Sequence, residues 1–180
     1  DIASLTFNNT AGAFTIGGAT ARTIGTGGIT NNDTNNQIIA TPLVVQAAQT
    51  WNAASGSMSI TGSSVTNNAG ALTIDGSAIG VVVTAAVQGT GSLVKNGSVT
   101  LTLSGSNSYS GGTVINAGSI ALLNGNALSD TGPVTVNGGT LNVNTSTETI
   151  GALQGAAAGV VSLPTTSSLT VGNGGGTSTF

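Results

Sequence analysis

Five carboxylates and two cations are all the side-chain charge that 180 residues carry: Asp1, Asp33, Asp75, Asp130 and Glu148 against Arg22 and Lys95, with no histidine and no cysteine. Cleavage of a glycosidic bond needs two carboxyl groups converging on one substrate, and calcium prefers several oxygen ligands with more than one carboxylate among them. The five acids are scattered along the chain. Asp75 in TIDGS and Asp130 in LSDTG each stand before Gly or Thr-Gly, where an aspartate caps its own backbone. Glu148, among threonines, is expected on an exposed strand, and Asp33, in NNDTNNQ, in a solvated loop. Without cysteine there is no thiolate nucleophile, no disulfide and no cysteine-based zinc site. The sequence therefore predicts a non-enzyme with no catalytic residue, no metal and no cofactor.

Binding residues are as sparse. Trp51 and Tyr109 have faces that stack on sugars in other proteins, but Trp51 sits in an apolar-periodic run and Tyr109 in a repeated pattern, so both are assigned to packing. Thr100/Thr102, Thr145/Thr147/Thr149 and Thr177/Thr179 would make a flat hydroxyl ladder if they shared a face, although threonine is also simply a favoured strand residue. The loop TNNDTNNQ, with Asn31 and Asn32, is a candidate contact surface for a glycan or another cell. A formal charge of −3 with two cations cannot neutralise a row of phosphates or bind an anionic membrane surface. Nucleic acid and membrane are therefore excluded as partners. No apolar run approaches the roughly 20 residues of a membrane helix, and no export signal is visible, so any signal or anchor is expected outside this segment.

The elements that must position these residues follow from periodicity. With 38% hydrophobic residues, little charge and 29 glycines, the chain is the opposite of a charged, apolar-poor disordered polymer. Apolar residues alternate with Thr, Ser, Ala or Asn, the period of a strand with one buried face, and Gly or Asn before each run suits a tight turn. No window shows helical spacing, and GAAAGVV (155–161) is the only stretch where a helix is in question. Val94–Leu101 (VKNGSVTL), Ile115–Leu122 (INAGSIAL) and Val136–Val143 (VNGGTLNV) align with Gly97, Gly118 and Gly139 at two successive offsets of 21. The unit of Gly, a small residue and apolar-x-apolar recurs at Gly12 (GAFTI), Gly56 (GSMSI) and Gly70 (GALTI), and as SSLTV from Ser167. AGAFTI (11–16) and AGALTI (69–74) nearly coincide. The 44-residue step from Gly12 to Gly56 reads as two coils with longer loops.

A repeat of this length holds two or three short strands and as many corners, which is one coil of a solenoid. The predicted fold is all-β: a right-handed parallel β-helix of about eight coils of roughly 21 residues, near 40 Å long at roughly 4.8 Å per coil. It is read as a single segment over 1–180, with irregular coils over 1–88, the clearest repeats over 89–143 and final coils over 144–180. Asn116 and Asn137, with Asn96 one position off, are expected to stack as an amide ladder. Neither DIASLTF nor GGGTSTF carries the Pro, Lys or polar cover that blunts a sheet edge. SLTFNN (4–9) resembles SLTVGN (168–173) as if a larger unit began again. Both suggest homotypic end-to-end stacking or neighbouring repeats of the same chain.

The segment GTGSLVKNGSVTLTLSGSNSYSGGTVINAGSIALLNGNALSDTGPVTVNGGTLNV (89–143) resembles the autotransporter-associated β-strand repeat. The family pattern falls on Leu93, Lys95, Gly97, Leu101, Leu103, Ser104, Gly105, Asn107, Tyr109, Gly111, Gly112 and Thr113, with Val99 as the departure. GPVTVNGGTL (132–141) resembles the coil that follows it. The resemblance implies a passenger-type parallel β-helix that is secreted or displayed at the cell surface. It serves as a stiff rod, stalk or filament segment or, in the alternative, as an adhesin module touching a glycan or cell-surface receptor through its loops or an Asn/Thr/Ser face.

Overall fold

Side chains alternate between two faces of a strand, so a run such as Thr100–Leu103 (TLTL) can bury Leu101 and Leu103 while Thr100 and Thr102 point out. That pattern repeats throughout the computed structural model, which describes residues 1–68, 70–144 and 147–179. Among the described residues there is no helix, and every paired strand is parallel to its neighbour. GAAAGVV is the end of one strand, a turn and the start of the next.

The chain winds around three faces. The first is a sheet of β1 (Leu5–Phe7), β4 (Ile29–Asn31), β7 (Gln49–Ala53), β10 (Ala71–Gly76), β13 (Ser92–Lys95), β15 (Thr113–Ile115), β17 (Val134–Val136) and β20 (Leu153–Gly155). The second is β2 (Thr15–Gly17), β5 (Gln37–Ala40), β8 (Met58–Ile60), β11 (Gly80–Val83), β14 (Thr100–Leu103), β16 (Ser119–Leu122), β18 (Thr140–Val143) and β21 (Val160–Ser162). Both run through all eight coils. The third face is a four-stranded sheet of β3 (Arg22–Ile24), β6 (Leu43–Val45), β9 (Ser64–Asn67) and β12 (Ala86–Gln88), and a separate pair, β19 (Thr147–Ile150) with β22 (Ser168–Val171). The fold is a β-solenoid of about eight coils, as the repeat predicted.

Stacking puts like on like. Ile29, Trp51, Ile74, Lys95, Ile115 and Val136 form one inward column, and Met58, Val81, Leu101, Ile120 and Leu141 another. Coils tighten along the chain, from the 24 residues between Leu5 and Ile29 to the 19 between Val136 and Gly155. The longer first coils carry the loops that blur the repeat over 1–88. Corners are tight enough to need glycine: Gly28 has φ +62°, and a Cβ there would lie 2.0 Å from the Thr50 carbonyl oxygen of the next coil.

Three expectations need correcting. The 21-residue register holds from Ile115 to Val136 but not before it, because Lys95 pairs with Ile115 and Thr100 with Ser119. The alignment had paired Val94 with Ile115, which keeps the charged lysine outside. A one-residue slip exchanges the faces of a strand, and here Lys95 is the residue turned inward. SLTF and SLTV lie on different faces, β1 on the first and β22 on the third, so their likeness marks no larger unit. AGAFTI and AGALTI likewise lead into different faces, β2 on the second and β10 on the first. The motif encodes a corner followed by a strand and leaves the face open. Beyond β3, Ile2 of the opening stretch pairs with Ile24, and Arg22 occupies the register position that Leu43 and Val65 fill in the next coils.

Candidate functional site

The third face changes character between β12 and β19. There the segments 104–112 and 123–133 cross as loops; some backbone bonds between coils persist, from Ser108 to Val87 and from Ser110 to Gly89, and two buried side chains supplement them. Asn107 accepts from the Val87 N–H at 2.7 Å through Oδ1, while its Nδ2 donates to the Ala127 carbonyl. Its own N–H donates to the Asn126 carbonyl at 2.8 Å. One amide thus joins three successive coils. Glu148, fully buried, accepts from the N–H groups of Ala127 at 3.1 Å and Leu128 at 3.0 Å. Its carboxylate supplies the acceptors that a neighbouring strand would have offered.

Glu148 was expected on an exposed strand. Outward positions of β19 go to Thr147 and Thr149, and the charged residue faces in because two backbone N–H groups of the previous coil need acceptors there. Burial pushes its carboxyl up to about 7, opposed by the bonds from Leu128 and Ala127 and reinforced by the charge of Asp130. Tyr109 is buried beside this stitch and its hydroxyl pairs with the Thr113 hydroxyl at 2.7 Å. Burial raises its phenol well above the ordinary value.

Asp33 is also corrected: it is buried, with 2% of its surface exposed. Its carboxylate accepts from the Asn35 N–H at 2.8 Å, the Asn35 side-chain amide at 2.6 Å and the Gly12 N–H at 3.1 Å. The bonds from Asn35 hold it below the ordinary carboxylate range. Gln37 continues the clasp, accepting from the Phe14 N–H and donating to the Gly12 carbonyl at 2.9 and 2.8 Å. Asn31 is buried too, donating to the carbonyls of Asn35 and Ser57. The loop read as a contact surface thus turns Asn31, Asp33 and Gln37 inward as a clasp between the first and second coils and leaves Asn32, Thr34, Asn35 and Asn36 exposed.

Lys95 is the clearest signal that sequence reasoning left unused. Its ammonium lies inside the first corner and donates to the carbonyls of Asn96, of Gly97 at 2.9 Å and of Ala117 at 3.3 Å. Burial brings it down to about 8, opposed by the charge of Asp75. Gly118 leaves the space, since a Cβ there would sit 2.8 Å from Nζ. The strict alternation Leu93, Lys95 could have revealed it, because the same parity that buries Leu93 buries Lys95.

Asp75, Trp51 and the stacked asparagines fall as read. Asp75 accepts from the Gly76 N–H at 2.7 Å, a turn cap. Trp51 is buried, its indole N–H donating to Gln49 Oε1 at 2.9 Å. Asn137 donates to Asn116 at 2.8 Å and Asn116 to Asn96 at 2.9 Å, completing the amide ladder. Thr100 and Thr102 lie on the second face and Thr147 and Thr149 on the third, so they share no plane; Thr145 lies outside the described residues. Among the described residues no three acids gather into a metal-binding group.

No curated protein and no solved structure matches the chain. A family model described as Passenger-associated-transport-repeat matches residues 93–122 and 123–143. The second match is one coil of the solenoid: a third-face loop, then β17 and β18. The first spans β13 to β16 with the loop that Asn107 anchors between them. Both matched stretches thus contain the interrupted third face, and Lys95, Asn107 and Tyr109 all lie in the first. Residues 93–143 are thus similar to two consecutive passenger-associated transport repeats, set within a β-solenoid that continues on either side of them.

Proposed function

We propose that the chain is a non-catalytic structural segment of a secreted or cell-surface passenger protein, in which stacked coils form a stiff rod or stalk. One observation carries this reading: two parallel ladders run unbroken through all eight coils, while the buried charged groups Lys95, Glu148 and Asp33 each bond backbone of a neighbouring coil. Such charges hold the stack and are withdrawn from chemistry on an external substrate. Side-chain amides close the remaining gaps, which explains how a surface with almost no charge stays specific in register. The unpaired edges of β1 and β2 are where a neighbouring coil, from the same chain or a second copy, would extend the ladders.

Small-angle scattering and limited proteolysis test the rod. A rigid profile near 40 Å long, from about eight coils at roughly 4.8 Å each, with resistance to protease across 104–112 and 123–133, is expected. A flexible profile with cleavage in those loops would remove the basis for a stalk. Immunolabelling of intact producing cells tests the location, surface labelling being the expected result.

A further inference from the structure

The loops of the third face enclose a shallow groove of about 380 Å³. Its floor is Asn107, fixed by its bonds to three coils. Its walls are Ser106, Ser108, Asn126, Ser129, Asp130 and Thr131. Each carries a hydroxyl, amide or carboxylate, and none of these side chains has an internal hydrogen-bond partner among the described residues. Ser129 is the telling member: only 6% of its surface is exposed, and its unpartnered hydroxyl opens into the groove. The residue is fixed by packing while its hydroxyl remains open to a partner from outside.

From this geometry we infer that the groove between loops 104–112 and 123–133 is a binding site for a saccharide, preferentially an amine-bearing one. Hydroxyl and amide side chains on a rigid floor match the alternating donors and acceptors of a polyhydroxylated ligand. Every lining side chain carries a polar group, so a wholly apolar ligand would leave those hydroxyl, amide and carboxylate groups unpaired. The backbone of the first loop is already occupied, with Ser108 and Ser110 donating to the carbonyls of Val87 and Gly89 and Asn107 to that of Asn126. An added peptide strand therefore has no edge to join. Asp130 is the only charge in the lining, which favours an ammonium group and disfavours a uronate. One carboxylate is too few for calcium. The binding is weak, because the nearest aromatic, Tyr109, is buried and offers no stacking face. The inference stands apart from the stalk reading, since a rod with an empty groove is still a rod.

The test is a titration of the uniformly 15N-labelled full chain with three probes: a glucosamine oligomer, a neutral glucose oligomer and a galacturonate oligomer. The glucosamine oligomer is expected to shift the amide signals of 106–108, 126 and 129–131 with a dissociation constant on the order of 1 mM. The glucose oligomer should bind there more weakly and the galacturonate oligomer not at all. Asp130→Asn, at an exposed position, should weaken glucosamine binding at least about fivefold and by more than it weakens glucose binding, while Ser129→Ala weakens both alike; unchanged thermal unfolding shows that each variant is folded. Absence of binding by all three probes, equal binding of the galacturonate oligomer, shifts confined to other faces, or an unaltered glucosamine affinity in Asp130→Asn would each overturn the assignment.

Discussion

The first two faces and the third solve one problem by different means. On the first and second faces eight strands stack in register and the backbone of each coil meets that of the next. The sequence needs only alternation there, so Val, Ile and Leu exchange freely along a column. On the third face regular pairing stops after β12 and resumes at β19; only a few backbone bonds cross between, such as those from Ser108 and Ser110, and a particular amide, Asn107, and a particular carboxylate, Glu148, supply the rest. Backbone pairing is tolerant of residue type, whereas side-chain stitching is not. Polar residues in this chain are buried where the backbone runs out of partners.

Variants can break that contrast. Glu148→Ala leaves the Ala127 and Leu128 N–H groups buried without acceptors and should cost about 4 kcal/mol, since each orphaned group costs roughly 1–3 kcal/mol and a void is added. The urea midpoint should fall with little change in slope. Lys95→Ala should cost about 3 kcal/mol by stripping three carbonyls of their donor and opening the core column between Ile74 and Ile115. Lys95→Met, which refills the column, should cost less. Asn107→Ala should cost about 2 kcal/mol, from one orphaned N–H and one orphaned carbonyl. A loss as large from a conservative Val→Ile exchange on an outward position of the first face, such as Val94 or Val114, would erase the distinction between the faces.

The pH dependence sharpens it. Glu148 titrates in the fold at about 7, above its ordinary value of 4.5, so the folded state binds more protons between those values and stability falls as pH rises through that window. Lys95 titrates at about 8 rather than 10.5, so the unfolded state binds more protons between 8 and 10.5 and stability rises there. Urea midpoints should therefore be lowest between about pH 7 and 8. Glu148→Gln should remove the lower limb and Lys95→Met the upper. The smallest effect is expected of Asn116→Ala, about 0.5 kcal/mol, because its ladder is exposed to water and each net hydrogen bond is worth little.

These differences also explain what the sequence could and could not disclose. Alternation in TLTL and SIAL, the glycine at each corner and the repeated asparagine at 116 and 137 are local signals, and they led directly to stacked parallel strands and an amide ladder. The burial of Asp33, Lys95 and Glu148 is not local. Each answers backbone groups about 20 residues away, such as Ala127 and Leu128 for Glu148, which become neighbours only once the coils are stacked. Charge by itself points outward, and that preference misplaced Glu148 and Asp33 and shifted the register at Lys95 by one residue. The third-face groove was hidden for the same reason: SGSNSYSGG and NALSDTG read as two separate turns until stacking sets one above the other.

Amide hydrogen exchange across the three faces tests the central claim most directly, with Val87, Ala127 and Leu128 as reporters. If buried side chains replace the missing ladder, these amides should exchange as slowly as those of Thr50, Thr73 and Val94 on the first face, and Ala127 and Leu128 alone should accelerate by at least about tenfold in Glu148→Gln. Exchange of the three at the rate of open loops in the unaltered protein would contradict the account.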